Sequence, residues 1–71
     1  MANVIQAPLP GTVLDVKVAA GDKVSAFDVV LILEAMKMEN EISCEEDGTV
    51  KEVLVKVGDV VTPGQDMVTF E

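Results

Sequence analysis

PGTVLDVKVAAGD, at residues 10–22, reappears 37 positions later as DGTVKEVLVKVGD, at residues 47–59. The identical pairs at this offset include Asn3/Asn40, Ile5/Ile42, Gly11/Gly48, Thr12/Thr49, Val13/Val50, Val16/Val53, Val18/Val55, Gly21/Gly58, Asp22/Asp59, Val24/Val61 and Glu34/Glu71. So regular a self-match is typical of a repeated structural unit. The sequence therefore predicts a single domain, residues 1–71, made of two similar halves.

Each half shows the same succession of strand and turn signals. A short strand is predicted at residues 3–7 and again at 40–44, and glycine turns follow at Pro10-Gly11 and Asp47-Gly48. Apolar residues then mark a longer strand in each half: Val13, Leu14, Val16 and Val18, and Val50, Val53, Val55 and Val57. Brief segments carry Val24 and Val61, and the last strands are predicted at 29–34 and 67–70. About eight short strands of this kind indicate an all-β fold of two sheets packed face to face, with quasi-twofold symmetry.

Composition excludes several classes of function. The net charge is −8 and the cations are five Lys with no Arg, so phosphate backbones and anionic membranes are repelled. The longest uninterrupted apolar run is 29–33, far short of a bilayer span. The chain lacks His and has one Cys, which argues against zinc binding and His-based catalysis. A lone Cys also fits a reducing compartment, so we expect a cytoplasmic location.

The junction between the halves carries the candidate functional residue, Lys37. The last strand of the first half ends near Glu34 and the next begins near Met38, so a tight hairpin turn is predicted at 35–38. Such turns place their central residues at positive φ, which non-glycine residues resist. An exposed amine between two flexible thioethers could serve as a modification site, but by spacing alone an ordinary solvated lysine is the commoner interpretation.

The hexapeptide Glu34-Ala35-Met36-Lys37-Met38-Glu39 resembles the signature of the biotinyl domain family, which includes biotin carboxyl carrier proteins. The resemblance extends from about Ile5 to Phe70. It implies a flattened barrel-sandwich hybrid of two four-stranded antiparallel sheets. It also implies that the modified lysine lies on a protruding hairpin and that both chain ends lie at the opposite end of the domain.

The same resemblance implies a function for each residue of the junction. Lys37 would carry covalent biotin, attached by a biotin protein ligase, with Met36 and Met38 serving recognition and presentation. Ala35 and Glu34 would help to define the turn that the ligase recognises. The domain would shuttle carboxybiotin between a biotin carboxylase and a carboxyltransferase or decarboxylase, in the cytoplasm or tethered to a larger or membrane-associated complex. It would be a carrier without a metal or a catalytic residue of its own.

Two departures from the family pattern generate expectations. Related domains usually have Gly where this chain has Phe27, and the second half keeps Gly64 there. We expect a locally different turn at Phe27, with its side chain covering that edge. Cys44 stands where the first half has Ala7, and we expect a small buried residue. No long insertion interrupts the first half, so the resemblance favours carriers that lack the extra "thumb".

Three other functions compete with a biotin carrier. A lipoyl carrier has a similar fold and also modifies a hairpin lysine, although lipoyl domains typically place Asp before that lysine and Ala after it. The chain could also be an unmodified interaction module that uses the Met-flanked tip as a contact. An enzyme with a Schiff-base lysine is disfavoured because the sequence shows no acid–base constellation to accompany Lys37.

Overall fold

Eight short β-strands provide the regular structure of residues 3–71, the part of the chain that the computed structural model describes, with side chains described from Val4. They are β1 (Asn3–Gln6), β2 (Gly11–Val16), β3 (Lys23–Val24), β4 (Val29–Ala35), β5 (Met38–Ser43), β6 (Gly48–Val53), β7 (Val60–Val61) and β8 (Asp66–Phe70). Met1 and Ala2, at the start of the predicted domain, lie outside the described residues. Within residues 3–71 there is no helix long and apolar enough to cross a membrane.

The strands form two four-stranded antiparallel sheets, as predicted, with the orders β1-β8-β6-β3 and β5-β4-β2-β7. Shifting each strand by one repeat, 37 residues forward or back along the chain, superimposes β1 on β5, β8 on β4, β6 on β2 and β3 on β7. The first order therefore becomes the second, which is the predicted quasi-twofold relation. Each sheet takes two strands from each half, so neither half forms a sheet alone and the two halves must fold together.

An entirely apolar core fills the space between the sheets. The largest side chains with almost no exposed surface are Leu31, Leu33, Met67, Val13, Val30, Val50, Val61 and Val68. Among the described residues no polar or charged side chain is buried. Strand β4 contributes most because it lies between β5 and β2 in its sheet and faces the core. Within the continuous apolar run at residues 29–33, Val30, Leu31 and Leu33 are fully buried.

The predicted strand boundaries need correction where β-bulges intervene. Strands β2 and β6 end at Val16 and Val53, so the predicted extensions to Val18 and Val57 are wrong. Register shifts lie between Val13 and Asp15 against β4, and at the equivalent point of β6. A bulge adds an unpaired residue and breaks simple alternation, so Leu14 is exposed although its apolar character suggested the core.

Smaller corrections apply to the other strands. Strand β1 ends at Gln6 rather than Ala7, and β4 continues one residue past Glu34 to Ala35. Strand β5 begins at Met38, where the predicted hairpin turn placed it, whereas the strand at 40–44 predicted from the repeat starts two residues too late and ends one residue too late. Strand β8 begins at Asp66, one residue earlier than predicted. These shifts leave the number and order of the predicted elements unchanged.

The described chain ends lie far from the turn that joins β4 to β5. Val4 and Phe70 line a groove together with Ser43 and Cys44, at the end of β5 remote from that turn. Cys44 is buried, as predicted, and its thiol donates to the carbonyl oxygen of Ser25 at 2.8 Å. Because Val4 and Phe70 lie near the end of β5 that is remote from the turn, the β4–β5 turn projects at one end of the domain and the described chain ends lie at the other.

The turn at Phe27 contradicts the expectation of a local rearrangement. The Phe27 amide donates to the Cys44 carbonyl at 2.7 Å, just as the Gly64 amide donates to the Ala7 carbonyl at 2.9 Å. The two residues have φ values of 71° and 84°. The Phe27 side chain is 79% exposed and so does not cover the edge. The same turn forms in both halves, and Phe27 adopts a backbone conformation that favours glycine.

We expect Phe27→Gly to leave the free energy of unfolding unchanged or to raise it by up to about 1 kcal/mol. Removing the positive-φ strain should raise the free energy of unfolding by about 1–2 kcal/mol. The greater conformational freedom that glycine gives the unfolded chain should lower it again by about half of that amount. Denaturant unfolding measures the change. The reverse substitution at the equivalent position, Gly64→Phe, should be destabilising. A loss of several kcal/mol in Phe27→Gly would show instead that the ring supports the fold.

Candidate functional site

Strands β4 and β5 are joined by a two-residue turn at Met36-Lys37, where the sequence predicted it. Ala35 pairs with Met38 as the last rung of the hairpin. Met36 has a φ of 55° and Lys37 a φ of 64°. Positive φ at both central residues is the signature of a type I′ turn, whose twist matches that of the flanking strands.

This turn is formed by residues with little preference for it. Type I′ turns favour Asn-Gly or Asp-Gly, whereas each ordinary L-residue at positive φ costs about 1–2 kcal/mol. The β4–β5 ladder, which runs from Val29 opposite Ser43 to Ala35 opposite Met38, imposes the conformation. Side chains kept at such a cost are a feature of functional sites.

The side chains of the turn project into solvent. Met36 is 88% exposed and Met38 is 65% exposed, and Lys37 is also exposed. Neither methionine fills the core, which leaves both free to contact another protein. Flexible thioether side chains adapt well to such contacts.

The Lys37 amine has no ionic partner in the part of the chain that the structure describes. There, the one salt bridge joins Lys17 Nζ to Asp15 Oδ2 at 2.9 Å, and this hydrogen bond lowers the pKa of the Asp15 carboxyl below its usual value. No described side chain hydrogen-bonds or ion-pairs with Lys37 Nζ. The amine is thus accessible for acylation, but a visiting protein or solvent must take its proton.

The other two predicted site residues have different environments. Ala35 is buried at the base of the hairpin, so it supports the turn and offers no surface for recognition. Glu34 is exposed and lies directly across from Glu39. Opposed carboxylates repel each other, so this pair makes an acidic rim beside the tip. All five predicted residues are contiguous on one hairpin, and four of them are accessible.

Gly11 contributes to the site in a way that the sequence did not indicate. It lies within β2 rather than in the predicted turn, and its φ is not positive. A Cβ atom there would lie 2.6 Å from the Glu34 carbonyl oxygen and 3.3 Å from the Ala35 Cβ. Glycine therefore permits β2 to approach the hairpin base closely. The predicted role in a turn is wrong, because inter-strand proximity leaves no local signal.

Asn40 is a second residue that sequence reasoning missed. Its side-chain amide donates to the Met38 carbonyl oxygen at 3.2 Å and so ties β5 to the foot of the turn. The repeat offered a signal, since Asn3 occupies the equivalent position in the first half. That signal showed that the position is repeated without showing which group the side chain would contact.

The chain is similar over nearly its whole length to a family and to individual proteins that are named for biotin or lipoyl groups. The family described as "Biotin-requiring enzyme", of the biotin–lipoyl type, matches residues 3–70. The biotin carboxyl carrier protein of Streptococcus mutans is 48% identical over 69 residues, which cover 97% of this chain and 53% of that protein. The gamma subunit of methylmalonyl-CoA decarboxylase from Veillonella parvula is also 48% identical over 69 residues, covering 97% and 54%. The chain thus spans about half the length of these two relatives.

Two solved structures have the same architecture. The urea carboxylase of Kluyveromyces lactis superimposes with a TM-score of 0.92 and 32% identity, over 100% of this chain and 6% of that one. The lipoyl domain of the 2-oxoglutarate dehydrogenase complex from Azotobacter vinelandii gives a TM-score of 0.83 and 26% identity, over 96% and 94%. The fold is therefore shared with a carboxylase and with a lipoyl domain, so the fold alone does not distinguish between them.

We expect Gly11→Ala to destabilise the protein, and the repeat supplies a matched control. At Gly48, the equivalent position, a Cβ atom would come no closer than 3.9 Å to Phe70. Gly11→Ala should lower the free energy of unfolding by about 1–3 kcal/mol because β2 must move away from the hairpin base. Gly48→Ala should change it by less than about 1 kcal/mol. Equal effects in denaturant unfolding would contradict the proposed close approach.

Proposed function

The chain belongs to the biotin–lipoyl family described as "Biotin-requiring enzyme", and on that premise we propose that it is a biotin carrier with Lys37 as the attachment site. The observation that carries this proposal is the type I′ turn that holds an unpaired amine between two exposed methionines at the tip of β4–β5. The relatives named as a biotin carboxyl carrier protein and a decarboxylase subunit support biotin as the cargo.

The hairpin fits covalent attachment. Lys37 Nζ attacks the carboxyl carbon of biotin that a ligase has activated as the adenylate. AMP departs, and the nitrogen loses a proton as the amide forms. No described side chain competes for the amine or walls off its approach, and the bare tip leaves room for a ligase active site. Attached biotin supplies the chemistry of carrying CO₂, while the domain supplies position and reach.

We propose that the domain acts as a tether and contributes no catalytic residue. Lys37 has no acid or base within hydrogen-bond distance among the described side chains, and the chain contains no His. Tethering raises the effective concentration of the cargo at its next active site. The rigid two-sheet body fixes the hairpin, and the lysine side chain and its cargo provide the reach.

The partners proposed from this role are a biotin protein ligase and the carboxylase or decarboxylase components that load and unload the carrier. The names of the relatives include both carboxylases and decarboxylases, so both reaction directions are compatible with this chain. Its net charge of −8 favours partners with basic docking surfaces.

A lipoyl carrier is the competing function, and the fold alone does not separate the two. The hairpin does, because Met flanks Lys37 on both sides, unlike the typical lipoyl pattern. The curated relatives at 48% identity are named for biotin carriage and decarboxylation. We therefore infer biotin rather than lipoate as the cargo.

Lys37→Arg should abolish biotin attachment without unfolding the protein. Arginine keeps the positive charge but stays protonated at any pH that proteins tolerate, so it cannot act as the nucleophile. The position is exposed, so the free energy of unfolding should change by no more than about 0.5 kcal/mol. A streptavidin blot after co-expression with a biotin ligase measures the loss. Continued labelling of the folded variant would place the biotin elsewhere.

Met36→Ala and Met38→Ala should slow ligase-catalysed biotin transfer by roughly fivefold or more, because each removes an exposed contact next to the amine. Their free energies of unfolding should change by less than about 1 kcal/mol. Met67→Ala provides the contrast, since Met67 is fully buried and its truncation should cost about 2–5 kcal/mol. If the two hairpin variants lost stability on that scale, their methionines would be structural.

A further inference from the structure

Phe27, in the loop between β3 and β4, is an exposed aromatic residue that the fold does not require. Its twin Gly64 makes the same turn with the matching backbone hydrogen bond and a permissive φ. Glycine is therefore the less strained residue at this position, and Gly64 shows that glycine forms this turn in the other half of the chain. A large apolar ring kept in a strained and 79% exposed position is suited to contact with another molecule.

The surroundings of this ring are acidic. The Phe27 amide bonds the Cys44 carbonyl at 2.7 Å, and the neighbouring Ala26 amide donates to Asp47 Oδ1 at 2.8 Å. These bonds hold the Phe27 loop against the exposed segment Glu45–Asp47, which carries three carboxylates. Asp28, also exposed, follows Phe27 directly. We call Phe27, Asp28 and the segment Glu45–Asp47 the Phe27 patch.

The Phe27 patch is separate from the biotin hairpin. Strand β4 connects the two sites, with Val29 at the patch and Ala35 at the turn. At about 3.3 Å per residue, they lie roughly 20 Å apart. A molecule that contacts both must therefore have a surface that extends along the domain, as a protein does.

The chemistry of the patch selects an arginine-bearing surface. A guanidinium group stacks on an aromatic face and bonds carboxylates with its planar fork of donors. Phosphate-rich ligands are repelled by the carboxylates, and so is a second copy of a chain with a net charge of −8. The enzyme that exchanges carboxyl groups with the carrier binds it at every turnover, whereas the ligase binds it once. A dedicated docking surface is therefore assigned to that enzyme and not to the ligase.

We propose that the Phe27 patch is a docking surface for an arginine-bearing face of the carboxylase or decarboxylase assembly. This inference rests on the proposed biotin-carrier function. Docking at the patch orients the domain while the hairpin tip, about 20 Å away, enters the active site. Because the contact is remote from the reacting atoms, it governs how tightly the carrier binds and leaves the chemical step unaltered.

The test measures carboxyl transfer to or from the full-length biotinylated carrier by the partner assembly of its own organism, as kcat and KM for the carrier. Phe27→Gly and the double variant Glu45→Lys/Glu46→Lys should each raise KM roughly tenfold with kcat unchanged. Two exposed positions on other strands serve as controls. Val60→Thr, at a residue that is 72% exposed, and Glu52→Lys should leave both constants unchanged.

Two outcomes would overturn the proposal: an unchanged KM in Phe27→Gly, or an equal rise in KM for Val60→Thr. Streptavidin blots and denaturant unfolding check that every variant is biotinylated and folded, so that a change in KM can be assigned to docking. Phe27→Gly should pass both checks. Failure of the biotin-carrier function would appear differently, as absence of biotin on the unmutated chain.

Discussion

The pairing of β4 with β5 is the constraint on which the rest of the structure depends. It begins at Val29 opposite Ser43 and reaches Ala35 opposite Met38, so only two residues remain to reverse the chain. Those residues must adopt positive φ, and they are Met36 and Lys37. The strain is maintained because β4 is also paired with β2 and is packed into the apolar core. The fixed backbone position of Lys37 and the exposure of its side chain follow from strand register and not from any interaction of the side chain itself.

The interlocked repeat gives this hairpin a firm base. Each sheet contains strands of both halves, so the hairpin cannot move as a unit without disturbing the core between the sheets. The two halves are nevertheless not equivalent in function. Gly11 is tightly packed where Gly48 is not, and Phe27 is strained where Gly64 is not. Differences between repeat partners thus reveal which positions have requirements beyond those of the fold.

The sequence predicted the features that depend on local pattern. The repeat, the eight strands, the two-residue turn at Met36-Lys37 and its positive φ were all predicted from spacing and residue type. The exchange of strands between halves was not, because strand partners far apart in sequence leave no local mark. The bulge at Leu14 and the close approach at Gly11 arise from pairing across the sheet. At Phe27, residue type suggested an altered turn, but the surrounding hydrogen bonds imposed the same turn on a less suitable residue.

The central claim is that this hairpin makes Lys37, among five lysines, the carrier of biotin. Peptide mapping by tandem mass spectrometry tests it most directly, on chain co-expressed with a biotin ligase and, separately, with a lipoate ligase. We expect one biotin amide, on Lys37, and no lipoyl addition. Biotin on another lysine such as Lys51 or Lys56, or lipoate on Lys37, would contradict it.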